Sequence, residues 1–386
     1  MIPREDVKPR GSTTPVSVIH AACQLVFHAG VAMRAVPRVM GVMVRWLRSQ
    51  TGPAVLFEGF VRDWTTGRWW ILRLGLAVLT ESTTFAEDWV YLIDHTVQIG
   101  QLKCFLVLGF RLSEVEWHGR GLCHRDVRVL ALIPMIHSTR QQVEKELETL
   151  SKRTGVPRAI ASDHGSDVKG GAEGFREAHP ETAVIYDIVH KGACLLKHRL
   201  EGDSRWPEFI KCLGQSKAQI QQTELAYLVG PSLRSKARYM NVGPVLRWAR
   251  LTLGVLEKTP QDAPGWSRME EKVGWLREYR DALGEWIAQY ETVQTAVRFV
   301  RREGLYLGAE RDLAAKQQER AEQTNTPELA KELREFVAEQ SRQARPGERL
   351  PGSTEVLESC LGKWKNFERQ QARQGFSASI LGAVRE

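Results

Sequence analysis

The chain has 386 residues, 42% hydrophobic and 26% charged, enough for two or three domains and an ordinary soluble globular composition. Its net charge of +8 permits a polyanionic partner without proving one. No apolar run is long enough to cross a bilayer, and the N-terminal stretch lacks the apolar core of a signal peptide, so a cytoplasmic, nucleoid-associated location is expected. Six cysteines (Cys23, Cys104, Cys123, Cys194, Cys212, Cys360) form no CxxC pair, which argues for a reducing compartment and against structural zinc or a disulfide framework. His118, Cys123 and His124 lie close together but lack a second ligand cluster.

Residues 1–14 are polar and read as loose, and residues 16–47 carry a helical pattern with Arg34, Arg38, Arg45 and Arg48 toward its end, closed by Gly52-Pro53. Thr65 or Thr66 can cap a second helix that Gly75 can end. Arg68 and Arg73 project from it, so residues 1–86 read either as a helix-turn-helix-like DNA-binding region or as a small helical bundle with solvated arginines. Trp89–Gly100 and Leu102–Phe110 then form a hairpin of two strands, with Asp94 embedded in the first. A carboxylate in such a strand is costly to bury unless a cation compensates it. A third strand at 127–133 follows, then a helix at 139–154, a short strand at 158–161 ending in Ser162-Asp163-His-Gly-Ser-Asp167, a helical stretch through Phe175, and a fifth strand at 182–186 leading to Asp187, His190 and Lys191. The order β-β-β-α-β-α-β over 87–200 is that of a ribonuclease-H-like α/β core with a mixed sheet. Residues 201–345 read as an all-helical insertion, within which 317–344 reads as water-facing helix. Residues 345–353 form a turn-rich linker, and a last helix from Thr354 to Gln374 completes the core in 346–386.

In this fold the fourth strand lies beside the first, so Asp163 would project next to Asp94; Asp167, inside the turn, is the alternative. Two carboxylates held together repel unless cations sit between them, and magnesium is the natural occupant. The last helix buries Leu357, Leu361 and Trp364. Beside them runs a stripe of Glu358, Gly362, Lys365 and Arg369, which joins an acid, a residue without a side chain and two cations. Glu358 is the candidate third acid, and Glu355 its rival.

These residues resemble a bacterial insertion-sequence transposase of the DDE superfamily. Tyr91-Leu-Ile-Asp94-His95 is similar to its first-strand motif. Ile160-Ala-Ser-Asp163-His-Gly-Ser-Asp167 is similar to its "S-D-x-G-S-[DE]" turn, and Ser353-Thr-Glu-Val-Leu-Glu358-Ser359 to its "S-N-x-x-x-E" helix start. Asp187-Ile-Val-His190 is similar to its "D-x-x-H". Lys365 stands where some of these families carry a basic residue. His164 and Thr354 each replace the usual Asn.

The resemblance implies Mg2+-dependent (or Mn2+-dependent) cleavage and strand transfer of DNA, the recombination step of transposition, with two ions held by Asp94, Asp163 and Glu358 and no protein nucleophile. No Ser-His-Asp arrangement is visible in the sequence. It also implies DNA partners, transposon ends and target, gripped through phosphates by Arg45, Arg68, Arg73, Lys169, His190, Lys191, Lys236, Arg238, Lys363, Lys365 and Arg369, and a homodimer or larger assembly on DNA. Residues 232–241 offer a basic stretch with an aromatic. The other readings are a catalytically inactive, transposase-derived DNA-binding protein, and a ribonuclease-H-like nuclease or resolvase.

Overall fold

The computed structural model describes residues 8–9, 12–51, 63–99, 102–163, 165–232, 239, 242–318 and 326–369; side chains are not described at 51, 96–99, 102 and 363–369. Two compact units divide the chain. The first comprises Met1–Glu116, Leu122–Thr182 and Thr354–Glu386, the second Trp117–Gly121 and Ala183–Ser353.

The first unit opens with helices α1 (Val16–Phe27), α2 (Val36–Thr51) and α3 (Trp64–Thr80). The single helical run expected over 16–47 is thus two helices, broken where Gly30 adopts a left-handed φ of 64°. Thr14 is buried, so the expected loose N-terminal stretch is anchored by its end. The cap of α3 is Asp63, whose carboxylate accepts from the Thr65 N–H, and not Thr65 or Thr66. Gly75 does not end the helix; it lies buried inside it, because tertiary packing outweighs its weak helix preference. Val18, Cys23, Val26, Val36, Met40 and Ile71 share one core with Cys104 of the sheet, so these helices form a small bundle. The turn expected before α3, with Gly52-Pro53, falls outside the described residues.

Strands β1 (Trp89–Ile99) and β2 (Leu102–Arg111) form the expected hairpin, followed by β3 (Arg128–Met135), α4 (Arg140–Thr154), β4 (Ala159–Ser162), α5 (Ser166–Ala178) and, at the start of the second unit, β5 (Ala183–Tyr186). The strand order is β3-β2-β1-β4-β5, with β1–β2 and β2–β3 antiparallel and β1–β4 parallel. It is a mixed five-stranded sheet of α/β type. Thr139 opens α4 with a capping box to Gln142. Gly155 ends it at φ 90°, where a Cβ would lie 2.3 Å from the Ala86 carbonyl oxygen, so only glycine fits that turn. Helices α4 and α5 pack closely: a Cβ on Gly171 would meet the Val143 side chain at 2.5 Å. The buried Tyr91 hydroxyl bonds the Thr154 hydroxyl at the end of α4, which sets that helix on the face of β1 bearing Tyr91, Ile93 and His95. The last helix, α13 (Glu355–Arg369), packs against β1.

In the second unit, α6 (Ile188–Glu201), α7 (Arg205–Ile220), α8 (Val242–Lys258), α9 (Trp266–Val273), α10 (Arg280–Glu303), α11 (Ala309–Gln318) and α12 (Pro327–Ser341) bear out the helical reading. Their core joins Trp206, Phe209, Leu213, Leu246, Leu276 and Trp286. The expectation that 317–344 faces water fails: α12 buries Leu329, Leu333, Phe336 and Val337, spaced on one helical face behind its charges. The expected linker at 345–353 is built into the fold, with Leu350 bridged to Leu305 and Gly352 accepting from the Ile188 N–H.

Candidate functional site

The site grows from the parallel pairing of β1 with β4. Val90 faces Ala159, Tyr91 faces Ile160, Leu92 faces Ala161 and Ile93 faces Ser162. The next residue on each strand is an aspartate, Asp94 and Asp163. Paired positions in parallel strands point to the same face, and neighbouring strands lie roughly 4.8 Å apart. Both aspartates are half-buried, Asp94 within β1 just past its pairing with β4 and Asp163 just past the end of β4. The Asp94 carboxylate accepts from the His95 N–H at 2.6 Å, and the Asp163 carboxylate accepts from the Gly165 N–H at 3.2 Å, an Asx turn that leads into α5.

Behind this pair lies a network that the sequence did not disclose. Lys103 on β2 donates from Nζ to Asp167 Oδ2 at 2.9 Å, and Asp167 Oδ1 accepts from the Val168 N–H at 3.1 Å. Ser138 Oγ bonds His95 Nε2 at 2.9 Å, while His95 Nδ1 lies 3.7 Å from Asp167 Oδ2. Burial by itself would raise the Asp167 carboxyl, but hydrogen bonds from Lys103 and Ser138 with the charge of its neighbours bring it down to about 2. Burial also pushes the His95 imidazole below its ordinary range, against the pull of Asp167. Ser138, His95 and Asp167 thus form a Ser-His-Asp grouping that the sequence reading had missed. The geometry is not that of an activated serine. At 3.7 Å Asp167 Oδ2 is beyond hydrogen-bond reach of Nδ1 and is bonded to Lys103 instead, so it does not orient the imidazole as a triad needs.

The last helix buries Val356, Leu357 and Leu361 and leaves Glu358 exposed and Glu355 half-buried. A Cβ at Gly362 would meet nothing within 4 Å, so the close backbone approach expected there does not occur among the described residues. The side chains of Lys363, Trp364, Lys365 and Arg369, and all of His164, Lys236 and Arg238, fall outside the described residues. So does most of the basic stretch at 232–241. Among the remaining expected DNA contacts, Arg45 and Arg73 are exposed, Arg68 is half-buried, and Lys169 lies 3.8 Å from Glu173. Asp187 caps α6 through the Val189 N–H, which places His190 and Lys191 in the first turn of a helix and not at a strand end. The Lys191 ammonium sits 5.8 Å from the Phe336 ring centre. His118 Nε2 bonds Glu303 at 2.9 Å.

Among the described residues, no three His, Cys, Asp or Glu side chains are grouped to hold a metal ion by themselves. The Asp94 and Asp163 carboxylates nevertheless suit magnesium, which is commonly held by one or two carboxylates and completes its shell with water and substrate phosphate.

No protein-family model and no curated protein matches the chain. Among solved structures it is similar to the Drosophila P element transposase strand transfer complex, with 11% identity and a TM-score of 0.46, covering 95% of this chain and 90% of that chain. At that level the likeness is loose, and what bears on function is the register of β1 and β4. No helix among the described residues is long and apolar enough to cross a membrane.

Proposed function

We propose that the chain is a DDE transposase of ribonuclease-H-like fold that cleaves and joins DNA at insertion-sequence ends. The observation that supports this most is the register by which Asp94 and Asp163 follow the last paired residues of β1 and β4, Ile93 and Ser162. Asp94 and Asp163 would hold divalent ions, with Glu358 as third ligand from α13, the helix packed on β1. Such ions polarise a phosphate and lower the pKa of bound water. The protein's own part is to hold the two carboxylates side by side and to hold the DNA by its phosphates. The exposed Arg45 and Arg73 are available for that grip, which would weaken by roughly 0.9 log units per log unit of salt for each phosphate neutralised.

The exposure of Glu358 favours a second reading, a DNA-binding protein descended from such an enzyme and no longer catalytic. One experiment separates them. On labelled DNA carrying the sequences that flank the gene, the wild-type chain should cut in Mg2+. Asp94→Asn should abolish cutting while leaving DNA binding intact. Cutting retained in Asp94→Asn ends the first reading. Binding without cutting by the wild-type chain establishes the second.

A further inference from the structure

Two aspartates follow β4 within one turn, and the structure treats them differently. Asp163 stays at the strand end with one carboxylate oxygen bonded to the turn's own Gly165 N–H. Asp167 has both oxygens engaged, Oδ1 by the Val168 N–H and Oδ2 by the Lys103 ammonium. Lys103 stands on β2, and β1 lies between β2 and β4, so this ion pair reaches across the strand that carries Asp94. Ser138, just ahead of α4, and His95, on β1, close the ring around it. The turn is therefore tied at both ends, by strand pairing before Asp163 and by Lys103 at Asp167.

We infer that Asp167 is a positioning residue: clamped by Lys103, within the ring that His95 and Ser138 complete, it holds the turn so that the Asp163 carboxylate stays beside Asp94. This rests on the metal-dependent reading of Asp94 and Asp163. The Lys103 ammonium already occupies Asp167 Oδ2, whereas partners behind a ligand fix its direction and typically govern metal affinity by roughly 10-fold to 100-fold.

The sign of one substitution tests the clamp. Lys103→Met removes a positive charge from the network around Asp167, and electrostatics alone would strengthen cation binding in its neighbourhood. Loss of a clamp weakens it. Mn2+ binding to the full chain is measured by titration calorimetry, with thermal melts to check folding. Lys103→Met should bind Mn2+ about 10-fold more weakly, and Lys103→Arg, which keeps the cation, should restore it. Binding as tight as wild type or tighter in Lys103→Met overturns the clamp. If Lys103→Met does not fold, Ser138→Ala serves, since it alters the ring without altering charge: weaker Mn2+ binding supports the clamp and unchanged binding overturns it. Asp94→Asn reports on the underlying reading. If it binds Mn2+ as wild type does, the metal site itself falls and the clamp with it. If it loses Mn2+ while Lys103→Met keeps it, the clamp alone is overturned.

Discussion

Ile93 on β1 faces Ser162 on β4 in parallel register, so the first residue beyond each is an aspartate, Asp94 and Asp163. Like charges one strand spacing apart repel, and without a cation that repulsion opposes folding. Asp163→Asn should therefore stabilise the metal-free protein on the order of 1 kcal/mol, a melting-temperature rise of about 1–2 °C for a chain of this length. The same variant should lose the stabilisation that Mn2+ confers on the wild-type chain. Scanning calorimetry with and without Mn2+ checks both; a lower metal-free melting temperature for Asp163→Asn would contradict the repulsion.

In the second unit, β5 is capped by two glutamines of the α12 end. Gln340 Oε1 accepts from the Tyr186 N–H at 2.9 Å. Gln343 accepts from the Val184 N–H and donates to the Val184 carbonyl, each at 2.9 Å. The Gln343 amide thus imitates a neighbouring strand and closes an edge that would otherwise be open to pairing. Gln343→Leu leaves both Val184 backbone groups without this partner, at a cost of about 1–3 kcal/mol each where water does not replace it. Urea unfolding should show a lower midpoint, and light scattering a greater tendency to associate. An unchanged midpoint would mean that water takes over both bonds.

Asp203 accepts from the Arg205 side chain and N–H and from the Trp286 indole N–H. Hydrogen bonds from Arg205 chiefly, then that from Trp286, hold its carboxyl down to about 2 against burial. A folded-state value below the ordinary carboxylate range adds stability that is complete above about pH 4 and is lost as pH falls toward 2. After allowance for solvent screening that is on the order of 1 kcal/mol. Tryptophan fluorescence melts between pH 6 and pH 2 should show the decline, and Asp203→Asn should flatten it and melt lower at pH 6. A wild-type profile parallel to that of Asp203→Asn would assign the acid loss to other carboxylates.

Much of the architecture was legible because local pattern and tertiary role agree. The two strand-forming runs and the Gly-containing turn between them announced the hairpin, and Val143, Leu147 and Leu150 at helical spacing announced α4. Where they disagree, the local reading failed. Gly75 looked like a helix end but packs inside α3. The charges of α12 drew attention from Leu329, Leu333, Phe336 and Val337, whose spacing marks a buried face. His190 was read onto a strand end because the capping role of Asp187 depends on a helix start that a short apolar run does not show.

The sequence by itself determined that Asp94 sits within the first strand and Asp163 just past the fourth, and in what order the strands come, since both follow from residue type and period along one stretch of chain. Only the tertiary structure decided which turn aspartate is tied up and which remains at the strand end beside Asp94. Lys103 and Asp167 are 64 residues apart, and no local pattern encodes a bond between them. Their meeting follows from the strand order, which lays β1 between β2 and β4 and brings the head of α5 within reach of a lysine on the far side.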